Sequence, residues 1–348
     1  MARSILGMSP ESLRIRLRIV LIITGVSSAA GAIYGFLASD GGTVEPLRGV
    51  ITGAAISLPL GAFEMFYRQV APGRALMRLP FVAVVAIKSA IYLAVFAVVL
   101  AGNRIAFHAA SVELWRDPSF WSGMAFSAAI GLVVNVVLQI NSLLGRGVLA
   151  SFVIGRYHRP REEERVFLFL DVVDSTGWAE RLGGPRFMKL LDRLYHDIAE
   201  PIVAHRGDIH KYVGDEVIVT WRPKDAFPRA DCVRLPFAVR AMLAANAAHY
   251  VADFGAAPRL RFALHAGVVV SGELGSVKRE IAFLGDAMNT TSRLFDTARE
   301  RGVEVIASNA LLSQLALPDG IAASPLGEVA LRGKAEKLAV FSLGEASC

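Results

Sequence analysis

The sequence predicts a chain in two parts, an all-α membrane half followed by an α+β soluble half. Apolar residues make up 54% of the 348 residues and the mean hydropathy is +0.46, which is high for a soluble protein. Most of them lie before residue 155, and beyond it short strand-like runs alternate with amphipathic helical segments. We therefore expect a four-helix transmembrane domain at residues 1–145, a cytoplasmic linker at 146–165 and a soluble domain at 166–348.

Four segments of the first half are long and apolar enough to cross a bilayer, at about residues 19–38, 49–67, 79–102 and 120–144. The first segment could instead be a signal peptide, because Ala30-Gly31-Ala32 resembles a cleavage site. A soluble helical bundle is a further alternative, although segments of this length with so few charges favour membrane spans.

Arginines predict how the four spans are oriented. They cluster before the first span, between the second and third, and after the fourth: Arg14, Arg16, Arg18, Arg68, Arg74, Arg78, Arg146, Arg156, Arg159 and Arg161. By the positive-inside rule both termini are then cytoplasmic, which predicts a multi-pass protein of the inner (plasma) membrane in contact with lipid. These arginines account for most of the net charge of +6, so that charge does not indicate nucleic-acid binding.

Two ionisable residues fall inside the predicted spans, Glu64 in the second and Lys88 in the third. Such groups are costly in hydrocarbon and usually face a partner or a polar cavity. They either form an ion pair that fixes helix packing or belong to a sensor site for an unknown ligand. Asn135, Gln139 and Asn141 in the fourth span are of types that form polar contacts between helices or between protomers.

The linker and the soluble half give an alternating strand and helix pattern. Val148, Leu149, Phe152 and Val153 predict a short amphipathic helix, and the acidic residues 162–164 a solvated lead into the first strand. The elements that follow are a strand at 166–171, helices at 175–183 and 186–204, a hairpin at 207–221, a helix at 229–252, a hairpin at 260–274, a strand at 281–284, a helix at 286–299, a strand at 303–307, a short helix at 309–315 and a hairpin at 327–343. This order is ferredoxin-like, which implies an antiparallel sheet with helices on one face.

Two aspartates stand where strand-like runs end. The apolar run 166–170 stops on Asp171, and Gly214-Asp215 reads as a tight turn between two strands. Either residue alone is as readily a capping or turn residue. Together, two carboxylates on neighbouring strands could bind a pair of Mg²⁺ ions and a nucleoside triphosphate.

Five blocks, in order, resemble the motifs of class III nucleotide cyclases. They are Phe169–Gly183, Lys211–Asp215, Leu264–Gly275, Gly285–Leu294 and Leu331–Lys334. The resemblance spans nearly all of residues 166–343 and implies the fold of that family. It also implies a membrane-anchored adenylate cyclase that converts ATP to cyclic AMP and pyrophosphate.

The resemblance implies a role for seven residues. Asp171 and Asp215 match the metal ligands for two Mg²⁺ ions per site, with Mn²⁺ as an alternative. Lys211 matches the residue that reads the adenine edge, Phe283 a substrate contact, Asn289 the residue that orients the ribose, Arg293 the one that neutralises the α-phosphate, and Lys334 the one that binds the terminal phosphates. The family divides these roles between two protomers, so the resemblance implies a homodimer.

Ala282 departs from the family pattern, because related adenylate cyclases usually have an Asp or Thr there that contacts the adenine amino group. Alanine cannot accept that hydrogen bond, so preference for ATP over GTP rests on fewer contacts. A guanylate or mixed purine cyclase therefore stays an alternative, as does a catalytically inactive receptor module. A diguanylate cyclase would leave Asn289, Arg293 and Lys334 without a role, and four spans leave little room for a transporter pathway.

Overall fold

The computed structural model describes residues 10–37, 44–67, 70–76, 79–107, 118–144, 148–330 and 337–346. The chain divides into two compact units, Met1–Leu144 and Gly145–Cys348, and each has its own internal packing.

The first unit is helical. Its helices are α1 (Pro10–Leu37), α2 (Val44–Phe66), α3 (Ala71–Leu76), α4 (Phe81–Phe107) and α5 (Pro118–Leu144). Four of these contain candidate membrane spans, at Arg16–Leu37, Val44–Phe66, Phe81–Asn103 and Gly123–Asn141. This confirms the four predicted apolar helices. The direction in which they cross a membrane stays a prediction.

Small residues allow α1 and α2 to approach closely. A Cβ added to Gly31 of α1 would collide with the backbone of Gly49 on α2, and the reverse substitution would collide in the same way. Gly53 of α2 stands against the backbone of Ser27 in the same manner. Such a close approach lets the two helices make van der Waals contact along their backbones.

Polar side chains join α2, α4 and α5 inside this unit. Lys88 Nζ lies 2.7 Å and 2.8 Å from the two carboxylate oxygens of Glu64, and Tyr92 donates a hydrogen bond of 2.6 Å to the same carboxylate. Lys88 is almost wholly buried, so the pair satisfies two groups that would otherwise be costly. Asn135 of α5 donates to Ser89 Oγ at 2.9 Å on α4. The predicted ion pair is therefore present, and so is the interhelical contact predicted for Asn135.

The second unit is a mixed sheet with helices. Its elements are α6 (Val148–Ile154), β1 (Arg161–Val172), α7 (Ser175–Leu182), α8 (Gly184–Ala204), β2 (Asp208–Val213), β3 (Glu216–Trp221), α9 (Pro223–Ala226), α10 (Asp231–Ala245), α11 (Ala247–Phe254), β4 (Leu260–Leu274), β5 (Glu280–Leu284), α12 (Asp286–Glu300), β6 (Val305–Ser308), α13 (Asn309–Leu312), β7 (Ile321–Ala330) and β8 (Lys337–Glu345). The strand order is β2-β3-β1-β4-β6-β8-β7, with β5 paired to β4.

The strands β2-β3-β1-β4, with the helices between them, confirm the predicted ferredoxin-like order. β1 is the central strand and pairs antiparallel with β3 and with β4. The sheet is not wholly antiparallel as predicted, because β4 and β6 run parallel. That parallel pair needs a crossover connection, and α12 lies within it.

Helices cover both faces of the sheet, so the prediction of helices on one face is wrong. One core cluster joins β1 to α8 and α10, through residues such as Leu168, Leu194 and Leu235. A second cluster on the other face joins Phe167 and Phe169 to α12. The reason is visible in β1, where every residue from 166 to 170 is buried, so both faces of this strand require apolar cover.

Three predicted element boundaries were also wrong. β1 begins at Arg161 and not at 166, because the acidic segment 162–164 pairs with residues 268–270 of β4 instead of standing free in solvent. The predicted helix at 229–252 is two helices that meet at Asn246. Asparagine is a weak helix former whose side chain favours helix ends, which suits it to this junction.

The predicted hairpin at 260–274 is a single strand of 15 residues, β4. Gly267, which falls near the middle of the predicted hairpin, lies within the strand opposite Arg165. Because Gly267 has no side chain, α12 can pack closely on β4 at this point. An added Cβ would lie 3.1 Å from the Cβ of Ala287 on α12. The turn comes later, after Gly275 with φ 94°, and returns the chain along β5.

Candidate active site

The register of β1 against β3 places Asp171 and Asp215 side by side. Leu170 pairs with Val217, so the last residues of β1 lie next to the turn that joins β2 to β3. Gly214 in that turn has φ 67°, a conformation that a glycine adopts without strain. The side chain of Asp171 is oriented by a hydrogen bond of 2.8 Å, which its Oδ1 accepts from the backbone amide of Val172.

The two carboxyl groups interact strongly. Burial, the hydrogen bond with Asp215 and the charge of Asp215 raise the pKa of Asp171 to about 8. Burial alone would also raise the pKa of Asp215, but hydrogen bonds from Asp171 and Ser175 outweigh it and the pKa of Asp215 is lowered. The pair therefore shares one proton near neutral pH, as two carboxyl groups in contact generally do.

The chemistry of this pair fits a divalent cation. The Oδ2 atom of Asp215 is buried and accepts no hydrogen bond from the described residues. Within the same part of the chain no group of three or more His, Cys, Asp and Glu side chains converges. The chain thus offers two carboxylates to a cation, which suits Mg²⁺, an ion that keeps waters and substrate phosphates among its ligands.

Arg299, in the last turn of α12, approaches the same carboxylates. Its Nη2 lies 3.5 Å from the Oδ2 of Asp171, and its charge opposes the rise in the pKa of that residue. This arginine is largely exposed, so the contact is weak. The sequence reasoning missed it because only the fold brings position 299 to the end of β1.

Lys211 lies on β2 and is paired within the chain. Its Nζ lies 3.2 Å from Oε1 of Glu280 on β5, and both side chains are close to half exposed. No motif in the sequence indicated a role for Glu280. It stands two residues before Ala282 on the same strand, which was the only available signal.

Phe283, the predicted substrate contact, has its ring in the core. It is 8% exposed and packs against Phe167 and His210, with ring centroids 5.8 Å and 4.8 Å away. The guanidinium of Arg165 lies over the same ring. Since side chains alternate along a strand, Phe283 points away from the face that carries Glu280 and Ala282. The ring therefore packs β5 against the core and is not on its exposed face.

His210, beside Lys211, is a second residue that the sequence reasoning missed. Burial, followed by the charge of Lys211, lowers its pKa to about 4. It is consequently neutral at physiological pH and acts as an aromatic packing group. Its position next to the candidate base-binding lysine gave no separate signal in the sequence.

Asn289 and Arg293 lie one turn apart on α12, whose apolar face is buried against the sheet. Asn289 is exposed and Arg293 half-buried, and neither side chain has a hydrogen-bond or ion-pair partner among the described residues. Arg299 on the same helix contacts Asp171, so the helical rise places Arg293 and Asn289 about 9 Å and 15 Å from it along the axis. Both residues therefore lie further toward the start of α12 than the arginine that contacts Asp171. Lys334 lies outside the described residues.

The family model for the adenylate and guanylate cyclase catalytic domain matches residues 158–344 of this chain, more than half of its length. The chain belongs to the adenylate and guanylate cyclase family. This confirms the resemblance that the five sequence blocks indicated.

Relatives of this cyclase extend the match beyond the catalytic domain. Adenylate cyclase 2 of Rhizobium meliloti (strain 1021) is 35% identical over 334 residues, which covers 94% of this chain and 90% of the relative. Adenylate cyclase 1 of the same strain is 28% identical over 192 residues, 52% of this chain and 27% of the relative. The first similarity therefore includes the helical unit, and the second is confined to part of the chain.

The fold of this cyclase is also found among solved structures. A bacterial light-regulated adenylyl cyclase superposes with a TM-score of 0.54 at 18% identity, over 66% of this chain and 67% of that one. At this identity the likeness supports the fold and carries no information on substrate.

Proposed function

We propose that this cyclase is an adenylate cyclase, which converts ATP to 3′,5′-cyclic AMP and pyrophosphate. The observation that carries the proposal is the Asp171–Asp215 pair, two carboxyl groups that share a proton and leave one buried oxygen without a donor among the described residues. Such a pair is unfavourable by itself and becomes favourable with a divalent cation beside it. The relative with 35% identity bears the name of an adenylate cyclase, which supports ATP as the substrate.

In this proposal the residues of the chain supply position and charge. Asp171 and Asp215 would hold two Mg²⁺ ions, which would supply positive charge to the triphosphate and lower the pKa of the attacking hydroxyl. The 3′-oxygen of the ribose loses its proton to solvent and bonds to the α-phosphorus, while the bond from that phosphorus to the bridging oxygen breaks and pyrophosphate leaves. Asn289 orients the ribose, Arg293 neutralises the α-phosphate as charge develops, and Lys334 binds the terminal phosphates. Alignment and charge neutralisation are what an intramolecular phosphoryl transfer mainly needs.

We propose further that the active form is a homodimer. In one chain Arg293 and Asn289 lie about 9 Å and 15 Å along α12 from the arginine that contacts Asp171. A second copy related by a two-fold axis would bring its own Asn289 and Arg293 to these carboxylates and would form two equivalent sites. This explains why both side chains lack partners among the described residues.

The membrane half belongs to the same proposal. The four apolar helices would anchor the catalytic domain, and the arginine distribution would place both termini in the cytoplasm, where ATP is found. Residues 1–145, 146–165 and 166–348 would then act as anchor, linker and catalytic domain. A sensor role for the helical unit, with an unknown ligand, stays a hypothesis.

The test uses purified full-length protein in detergent, with Mg²⁺ and either ATP or GTP, and separates the products by chromatography. Wild-type protein should form cyclic AMP, and Asp171→Asn should lose at least about 100-fold of this activity. The matched control is Asp174→Asn, three residues away in an exposed turn, which should keep it. Absence of any cyclic nucleotide from a sample shown to be dimeric would contradict the proposal and favour an inactive receptor module. Cyclic GMP as the main product would favour the guanylate cyclase alternative.

A further inference from the structure

We infer that Glu280 is a specificity-determining residue, which accepts a hydrogen bond from the amino group of the adenine base. It would supply from a different position the acceptor that Ala282 lacks. The inference rests on the proposed adenylate cyclase function and goes beyond it, because it names the group that selects adenine over guanine.

The first support is the position of Glu280 relative to Lys211. The lysine Nζ lies 3.2 Å from Oε1 of Glu280, although β2 and β5 are not neighbours in the sheet. β2 pairs with β3 and β5 pairs with β4, so this contact is made by side chains alone. Any base that receives a hydrogen bond from the end of Lys211 is then within reach of the Glu280 carboxylate.

The exposure of the pair is a second support. The side chains of Lys211 and Glu280 are 46% and 40% exposed. An ion pair that is this exposed to water contributes little to stability, because solvent screens the charges and both side chains lose rotamer freedom. The pair is therefore poorly explained as a stabilising contact, and both charged groups remain accessible to a ligand.

The strand geometry places Glu280 on the correct face. Side chains alternate along β5, so Glu280 and Ala282 share one face while Phe283 points into the core. Phe283 is fixed there by Phe167 and His210, which holds β5 and its outer face in place. Glu280 is thus the carboxylate on the face of β5 that holds Ala282.

The charges around Glu280 keep its carboxylate ionised. Lys211 lies on one side, and Lys278 Nζ lies 3.9 Å from the other carboxylate oxygen. A hydrogen bond from Lys211, followed by its positive charge, lowers the pKa of Glu280. An ionised carboxylate is a hydrogen-bond acceptor only and cannot donate.

A donor beside an acceptor is complementary to adenine. The edge of adenine presents a ring nitrogen that accepts next to an amino group that donates. Lys211 would donate to the ring nitrogen and Glu280 would accept from the amino group. Guanine presents O6, an acceptor, where adenine has the amino group, so the carboxylate would meet a second acceptor without a proton between them.

The experiment measures kcat/KM for ATP and for GTP with full-length protein in detergent and Mg²⁺, for wild type and Glu280→Ala. We expect kcat/KM for ATP to fall by about 10-fold while that for GTP stays constant or rises, so the ratio of the two falls by 10-fold or more. A purely structural role of Glu280 would lower both values together and leave the ratio unchanged, which would overturn the inference.

Three further variants sharpen the test. Glu280→Gln keeps an acceptor but loses the charge, and should keep more of the ATP preference than Glu280→Ala. Adding Ala282→Asp to Glu280→Ala returns a carboxylate to the same strand face and should restore the preference. The control is Glu328→Ala on β7, which removes an exposed strand carboxylate and should leave the ratio at its wild-type value.

The outcomes separate this inference from the proposed function. Wild-type protein that forms no cyclic AMP contradicts the function itself. Wild-type protein that forms cyclic AMP, with an ATP-to-GTP ratio that Glu280→Ala does not change, contradicts the role of Glu280 alone. A fall in GTP use without a fall in ATP use would also contradict it, since it would place the carboxylate on a guanine edge.

Discussion

Single residues in this cyclase show a conflict between stability and binding, and the Asp171–Asp215 pair is the main case. Asp171 lies near the end of the buried strand β1, and Asp215 lies in the turn just before β3, so the register of these strands brings the two carboxyl groups to the same edge of the sheet. Because the pKa of Asp171 is raised, this group favours folding fully at pH values below its unfolded pKa, and that contribution is lost as the pH rises toward about 8. The pair therefore costs stability at neutral pH in the absence of a cation, which is expected of a site whose role is to bind one.

The first prediction follows from that conflict. In the presence of a metal chelator, the Tm of the wild-type protein should fall as the pH rises from 5 to 8.5. Asp215→Asn should reduce this fall, because it removes the charge that opposes ionisation of Asp171, and it should lower cyclase activity by roughly 100-fold. An equal loss of Tm in both proteins would contradict the interpretation. Asp174→Asn serves as the control, since its side chain lies in an exposed turn.

His210 gives a second prediction, of opposite sign in pH. Burial lowers its pKa from 6.5 to about 4. Between pH 4 and pH 6.5 this histidine is therefore protonated in the unfolded chain and neutral in the folded chain. Stability should therefore fall as the pH drops below 6.5, by up to about 3 kcal/mol at pH 4. His210→Gln should remove this share of the acid sensitivity in thermal melts. His196→Gln, on an exposed position of α8, is the control and should follow the wild type.

Among the elements, β4 and α12 carry the largest difference between the sequence interpretation and the structure. The sequence predicted a hairpin over residues 260–274, and the structure shows a continuous strand with α12 packed on it. A glycine that allows a turn and a glycine that allows a close approach look alike in one sequence. Only the neighbouring element distinguishes them, and here it is Ala287 of α12.

The third prediction uses this contact. Gly267→Val places a branched side chain where a Cβ already lies 3.1 Å from Ala287, so α12 must move or the strand must bend. We expect a loss of about 1–3 kcal/mol in the free energy of unfolding, measured by denaturant titration. We also expect a fall in kcat, because α12 carries Asn289 and Arg293. Gly344→Val on β8, where an added Cβ meets open space, should change neither quantity by a comparable amount.

For the whole molecule, the central question is whether two chains complete each site. The carboxylates lie at the end of β1, whereas Asn289 lies about 15 Å along α12 from the residue that contacts them. In a two-fold symmetric dimer, Asn289 and Arg293 of the second copy would lie beside the carboxylates of the first, and each site would be complete.

The fourth prediction tests that symmetry by mixing inactive variants. Asp171→Ala and Arg293→Ala should each be inactive, and their co-expressed mixture should recover about a quarter of wild-type activity. Half of the dimers are then mixed, and each mixed dimer holds one intact site of two. A mixture of Asp171→Ala with Asp215→Ala is the control and should recover nothing, because both changes affect the same half-site. Recovery in the control, or none in the first mixture, would contradict the shared site.

The sequence by itself determined the division into an apolar helical half and an α+β half, the four apolar helices, the ferredoxin-like order and the cyclase family. These features are carried by long apolar runs, by the period of buried positions and by ordered motifs, all of which are local properties of the chain. The Glu64–Lys88 pair could be anticipated for the same reason, since a buried charge needs a partner.

Only the tertiary structure decided which residues meet. It joined Lys211 to Glu280 and Arg299 to Asp171 across 69 and 128 positions of sequence, and it turned the ring of Phe283 into the core. It also showed that β1 is covered on both faces by helices. Contacts of this kind depend on strand register and on which helix packs on which face. Neither is encoded by a local pattern, because a strand buried on both faces has no polar side to reveal its neighbours.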